Sequence, residues 1–227
     1  LSLTIPKGVI MGFIGENGAG KTTTIKAILN MIHIDGGEIT VFGKDAIKDG
    51  KTIRHDIGVV LSESSFPENM NPVQIEHVLS SVYQTWDCAY YHELLQNFQL
   101  PKDKRIKDYS KGMRMKLNIT MALAHHPKLL ILDEATSGLD PIIRDEILDV
   151  FMDFIQDEEH SIFLSSHITS DIEKVADYVT FIHKGEIVLS EQKDELLESY
   201  GILKTTPEIF TALKEDEYVA YRKSSFT

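Results

Sequence analysis

The chain is almost without cysteine. Cys88 stands alone, so no internal disulfide can form, and the composition suits a reducing cytoplasm. Long apolar runs are missing too: none approaches the roughly 20 residues that crossing a bilayer requires, and no secretory signal opens the sequence. A place at a membrane would therefore come through a partner. Positive charge is scarce, with 23 Lys and Arg against 35 Asp and Glu and a net charge of −12. Phosphate-backbone binding is driven by clustered cations, so no nucleic-acid partner is expected. The most basic short run, Leu100 to Arg105, reads as a solvated connector. Tryptophan occurs once. Trp86 and Phe98 are expected to anchor a core, since no cations interleave them as a base-stacking surface would require. An initiating methionine is also lacking, and the sequence begins inside an apparent strand, Leu1 to Ile5. That beginning, and the tail Tyr221 to Thr227 with no evident stop signal, lead us to expect a fragment of a longer protein. Its 227 residues suffice for one large α/β domain, with or without a smaller inserted lobe.

What is present is organised around Gly15-Glu16-Asn17-Gly18-Ala19-Gly20-Lys21-Thr22-Thr23, which fits G-x-x-x-x-G-K-[ST]. Glycines let successive N–H groups turn inward around an anionic phosphate chain. Asn17, Gly18, Gly20 and Thr23 are the expected cradle. Lys21 adds charge for β- and γ-phosphates, and Thr22 offers a hydroxyl to magnesium. The context agrees with this mechanism. Val9 to Ile14 is an apolar, strand-like run entering the loop, and Ile25, Ile28, Leu29 and Ile32 follow at helical spacing. The helix N-terminus favours the anion through its dipole. A chance glycine turn has no reason to sit between a strand and a helix.

Further along, the pattern predicts a helix from Lys21 to about Met31, strands over Glu38 to Phe42 and Ile57 to Leu61, and helices over Val73 to Tyr83 and Tyr90 to Phe98. Ser110 is a natural N-cap for a long helix carrying Met113, Leu117, Met121 and Leu123. Leu129 to Leu132 reads as a parallel strand covered on both faces, and Pro141 as the start of a helix after it. Strands at Ser161 to Ser165, Tyr178 to His183 and Glu186 to Leu189, with a helix around Asp171 to Ala176, continue an α/β alternation. Lys193 to Tyr200 looks helical.

Nucleotide hydrolysis needs a held metal, an aimed water and exclusion of solvent. Asp133, at the end of an apolar strand, is expected to bind magnesium, because strand ends meet the phosphate loop in such sheets. Its neighbour Glu134 can polarise the attacking water.

Taken together, these residues resemble the nucleotide-binding domain of ATP-binding cassette (ABC) proteins, over Leu1 to about Leu197. The motifs follow the family's order: the phosphate loop, Tyr109-Ser110-Lys111-Gly112-Met113 as signature, Leu129 to Glu134, Ser137-Gly138-Leu139-Asp140, and His167. The resemblance implies an α/β P-loop NTPase of ABC type, with a mixed sheet core, an N-terminal β subdomain and an inserted helical subdomain. Residues 1–200 would form the ATPase domain, about 66–126 the helical insertion, and 201–227 a C-terminal extension. It implies ATP and Mg2+ as cofactors and a head-to-tail dimer with a second ATPase subunit. Each ATP would lie between Lys21 of one subunit and Ser110 and Gly112 of the other, with His167 on the phosphate and water, and Asp140 coupling the two sites. Transmembrane permease subunits would hold the protein at the cytoplasmic face of the membrane, and the closest resemblance is to Gram-positive bacterial exporter subunits.

Three departures stand out. Tyr109, Lys111 and Met113 differ from the usual Leu-Ser-Gly-Gly-Gln. The glutamine expected after the strand at Leu61 is absent; Ser62 takes its place, and Glu63 is expected to substitute through a metal-bound water. No aromatic precedes Phe13 to stack on adenine. A soluble ABC ATPase of translation, repair or iron–sulfur assembly is the rival reading. Neither the linked second cassette of translation factors nor the coiled coil of repair proteins occurs here. A non-hydrolysing ATP switch, suggested by the missing glutamine, is a third.

Overall fold

A computed structural model of the chain describes residues 1–61, 66–201, 205, 206 and 209. Its frame is a six-stranded sheet in the order β4-β5-β6-β1-β7-β8. The strands are β1 (Ile10–Ile14), β4 (Ile57–Val60), β5 (Leu129–Asp133), β6 (Ser161–Ser166), β7 (Tyr178–His183) and β8 (Glu186–Gln192). All neighbouring pairs are parallel except the β7–β8 hairpin at one edge. Parallel strands need covering on both faces, and β1, β5 and β6 are buried along their whole lengths. The edge strand β8 alternates exposed and half-buried residues, as a strand with one wet face does.

One face packs α1 (Lys21–Ile28) through Ile25, and Leu29 just after it, against Phe13, Ile131 and Phe163. The other face carries a larger cluster that runs from Ile10, Leu130 and Leu164 through α5 (Lys111–Leu123) to α3 (Pro72–Val82) and α4 (Cys88–Asn97). Tyr91, fully buried, donates its hydroxyl to Pro72 O at 3.1 Å and joins the last two helices. Phe98 is buried and Trp86 packs against the same cluster, so both serve as core anchors. On this face also lie α6 (Pro141–Phe154) and α7 (Thr169–Val175). Asp153, Asp157, Glu158 and Glu159 are exposed, as a solvated helix end requires.

Several boundaries differ from the sequence pattern. Leu1 to Ile5 forms no strand: Leu3 and Ile5 turn inward against the core, but the segment acquires no ladder partner. Alternation reports which side chains are buried, not whether backbone groups pair. The expected strand over Glu38 to Phe42 shrinks to β2 (Thr40–Val41), paired with β3 (Lys44–Asp45). Phe42 and Gly43 both take left-handed backbone angles, φ 52° and 73°, and close a tight hairpin between them. The first helix stops at Ile28, and Asn30 at φ 53° turns the chain away. A short helix, α2 (Gly50–His55), occupies the weakly periodic stretch before β4, and a last one, α8 (Lys193–Ser199), follows β8.

Candidate active site

The site forms where β1, β5 and β6 end side by side. Gly15 follows β1 directly, and a Cβ there would lie 2.6 Å from Ile182 O, so only glycine lets the loop pass this close to β7. Gly20, at φ 115°, reverses the chain into α1, and Gly185 N donates to Ala19 O at 2.8 Å to tie the loop to the β7–β8 turn. Lys21 is 6 % exposed, and its ammonium donates to Gly15 O at 2.7 Å and Glu16 O at 3.2 Å. Asn17 and Gly18 are exposed on the outer rim, with Thr23 exposed on the first turn of α1. Glu16 meets His183 at 3.1 Å.

Thr22 Oγ1 donates to Asp133 Oδ2 at 2.7 Å, bringing together two residues 111 positions apart. The other carboxylate oxygen, Oδ1, accepts from Ser165 Oγ at 2.6 Å. Asp133 is 1 % exposed and Ser165 wholly buried, so this charge is held by two hydroxyls away from water. Such oxygen donors suit a hard divalent cation, which keeps waters and substrate phosphates as its other ligands. No group of three or more His, Cys, Asp and Glu side chains that could cage a metal occurs among the described residues. The donor set therefore fits magnesium bound with a phosphate substrate rather than a metal caged by protein alone.

Glu134 turns at φ 56°, immediately after the strand. Its N–H is directed at Ser165 O, 3.1 Å away, and at Ser165 Oγ, 3.2 Å away. One carboxylate oxygen lies 3.2 Å from Lys21 Nζ, an ion contact without hydrogen-bond alignment; the other meets His167 Nδ1 at 2.6 Å. Lys21, Thr22, Asp133, Glu134 and His167 thus converge on one point. A carboxylate beside an ammonium and an imidazole is placed to accept a proton from water, and the loop amides and Lys21 can carry phosphate charge.

Ser110, Gly112 and Asp140 are not part of this convergence. Ser110 caps α5 by accepting from Met113 N at 3.2 Å, and Asp140 caps α6 by accepting from Ile143 N at 3.1 Å. Gly112 packs where a Cβ would collide with Ile143 Cδ1, and Lys111 reaches across to Gly138, joining the two helix starts into one surface. Ser110, Lys111 and Asp140 are exposed on it. Tyr109, by contrast, is buried, and its hydroxyl donates to Pro101 O at 2.6 Å; desolvation pushes the phenol up to about 12. Ser62 and Glu63 lie outside the described residues. Sequence reasoning missed Ser165, whose only signal was a small polar pair, Ser165-Ser166, closing an apolar strand before His167.

The family model for the ABC transporter (ABC_tran) matches residues 1–137. The ABC transporter ATP-binding protein YtrB of Bacillus subtilis (strain 168) is 31% identical over 200 residues, covering 88% of this chain and 68% of that protein. The bacitracin transport ATP-binding protein BcrA of Bacillus licheniformis is 36% identical over 190 residues, 83% of this chain and 62% of its own length. The chain therefore spans about two thirds of the length of these relatives. A solved structure described as that of an ATP binding subunit of an ABC transporter superposes with a TM-score of 0.79 at 25% identity, covering 92% of this chain and 89% of the other. With the phosphate loop, the paired acids and the histidine in one cluster, the chain belongs to the ABC transporter family, as an ATP-binding ATPase subunit.

Proposed function

We propose that this subunit drives export across a bacterial membrane by ATP-dependent, head-to-tail dimerisation with a second ATPase subunit. The similarity to a bacitracin transport protein favours an antimicrobial peptide or lipid-like cargo. Selectivity belongs to transmembrane permease subunits, which would hold the protein at the cytoplasmic face. Among the described residues no helix is long and apolar enough to cross a membrane. Residues 1–200 are the ATPase unit, about 66–126 its helical insertion carrying the surface for the permease, and 201–227 an extension.

The observation that carries the reading is the separation of two half-sites on one chain. Lys21, Thr22, Asp133, Glu134 and His167 make one; the exposed Ser110 and Asp140, with Gly112 buried beneath them, make another, whose caps bond Met113 N and Ile143 N rather than any of the first. Each half lacks what the other offers. In the assembled site the loop amides about Asn17, Gly18 and Gly20, with Thr23, bind the phosphates and Lys21 moves from its carbonyls onto their charge. Thr22 and Asp133 would hold Mg2+, which would neutralise charge on the phosphate oxygens. Glu134 orients the attacking water and takes its proton while His167 positions carboxylate and phosphate. Ser110 and the N–H groups opening α5 of the second subunit close over the γ-phosphate. Ser62 or Glu63 would add a further oxygen ligand.

The experiment is size-exclusion chromatography of a Glu134→Gln protein with and without MgATP, alongside affinity purification of the full-length protein from detergent-solubilised membranes. ATP-dependent dimers and a co-purifying multi-spanning protein are expected. A monomer with ATP, together with recovery of ribosomal, repair or assembly proteins alone, would refute the transporter dimer.

A further inference from the structure

The loop ending at Asp140 and the loop carrying His167 are joined by a charge pair that neither motif contains. Arg144, in the first turn of α6, folds back so that Nη2 donates to Leu139 O at 3.3 Å. Its Nη1 lies 3.6 Å from Asp171 Oδ1. Asp171 sits in the first turn of α7 and is only 3 % exposed. The pair is half used: Arg144 Nε and Asp171 Oδ2 are buried and have no hydrogen-bond partner. Stability alone is a poor reason for such a pair, because desolvating two charges costs about as much as their attraction returns unless the remaining atoms are satisfied.

On the α7 side the connection continues to the chemistry. Asp171 N donates to Ile168 O at 3.3 Å, Ile168 N donates to Ser166 Oγ at 2.9 Å, and His167 between them meets Glu134. Ile172 packs where Gly12 has no Cβ, which seats α7 on the sheet. A second, exposed pair, Lys174 Nζ to Asp145 Oδ1 at 2.9 Å, crosses the same two helices with the charges reversed. Exposed as it is, that pair contributes little, and only the Arg144 pair reaches the loop at Leu139.

We propose that Arg144 and Asp171 are positioning residues that tie the Ser137 to Asp140 loop to His167, so that seating of that loop sets the histidine on its phosphate. This rests on the reading that Glu134 and His167 act on ATP. The planar guanidinium thus spans both loops at once, with Nη1 toward Asp171 and Nη2 on Leu139 O, which a lysine ammonium cannot do in the same geometry. In the nucleotide-closed state the contact between Arg144 Nη1 and Asp171 shortens to hydrogen-bond length while Nη2 keeps Leu139 O, with no change in the bonds of the substrate.

The test compares full-length wild type with Arg144→Lys, which keeps the charge but cannot span Asp171 and Leu139 O together, Asp171→Asn, their combination, and Lys174→Ala. The readouts are ATPase rate against MgATP concentration, binding of a fluorescent ATP analogue and thermal unfolding. Arg144→Lys and Asp171→Asn should each lower kcat by about 10- to 100-fold, the scale of a small misplacement of a reacting group. KM and analogue affinity should stay within about twofold, and the double variant should be no slower than the slower single one, because both act through one contact. Lys174→Ala should match wild type. The proposal is overturned if folded Arg144→Lys keeps wild-type kcat, if KM rises in step with the loss of kcat, or if Lys174→Ala loses as much. Absence of hydrolysis in the wild type would instead bring down the ATPase reading on which the proposal rests.

Discussion

Replacing Ser165 by alanine tests whether the metal-side carboxylate is held as the geometry requires. The substitution removes one hydroxyl from a position with no solvent access, and with it the 2.6 Å bond to Asp133 Oδ1. Glu134 N loses the hydroxyl as acceptor but keeps Ser165 O at 3.1 Å, so the backbone turn survives. Asp133 then retains Thr22 alone, while its other oxygen faces a buried methyl group. A hydrogen bond to a charged group is worth about 1.5–3 kcal/mol. Asp133 is 1 % exposed, so water cannot easily replace the donor, and a loss of about 2 kcal/mol is expected. For a chain of this size that lowers Tm by about 4–8 °C. A side chain that hydrogen-bonds a metal ligand typically carries about 10- to 100-fold in metal affinity, so half-saturation of ATPase by Mg2+ should rise by about tenfold at saturating ATP. Differential scanning fluorimetry and a Mg2+ titration of hydrolysis read the two effects separately. A Ser165→Ala protein that melts with wild type and shows the same Mg2+ dependence would refute the role assigned to this hydroxyl.

The Gly15→Ala substitution puts a methyl group 2.6 Å from Ile182 O, a backbone atom that cannot swing aside, so a loss of about 1–3 kcal/mol and of ATP binding is expected by denaturation and nucleotide titration. At Gly112 the obstruction is the tip of the Ile143 side chain, which can rotate; Gly112→Ala should cost less stability than Gly15→Ala in the same denaturation assay. His125 is buried, with Nε2 3.1 Å from Ile57 O, and desolvation lowers its pKa below the ordinary 6.5. The folded state thus holds it neutral while the unfolded chain takes up a proton. Its contribution is present above pH 6.5 and is lost as pH falls through that value toward the folded pKa, so urea denaturation at a series of pH values should show a shallower acid loss for His125→Gln.

The sequence by itself determined the local chemistry. A loop that must wrap phosphate needs glycines and a lysine at fixed spacing between a strand and a helix, so Gly15 to Thr23 could be read without any tertiary information. Four apolar runs long enough for buried strands were legible because parallel strands covered on both faces show it in every residue. The Ser110 cap was legible too, since its hydroxyl satisfies an N–H group three residues further on. Pairing was not. Leu1 to Ile5 alternates like a strand yet has no ladder, and Phe42 accepts a left-handed turn that its side chain disfavours.

Only the tertiary structure decided what stands beside what. The order β5-β6-β1 sets Asp133 level with Ser165 and Ser165 level with Phe13, and so delivers the phosphate loop to the acids. Nothing in the sequence around Ser165 or Arg144 specifies Asp133 or Asp171 as a partner. Strand order and helix packing create those contacts across long stretches of chain, through burial summed over the whole core. A motif is a local solution to binding one chemical group, and its sequence can carry it. A site assembled from three separate chain segments depends on that global packing, and its supporting residues become visible only when the sheet is closed.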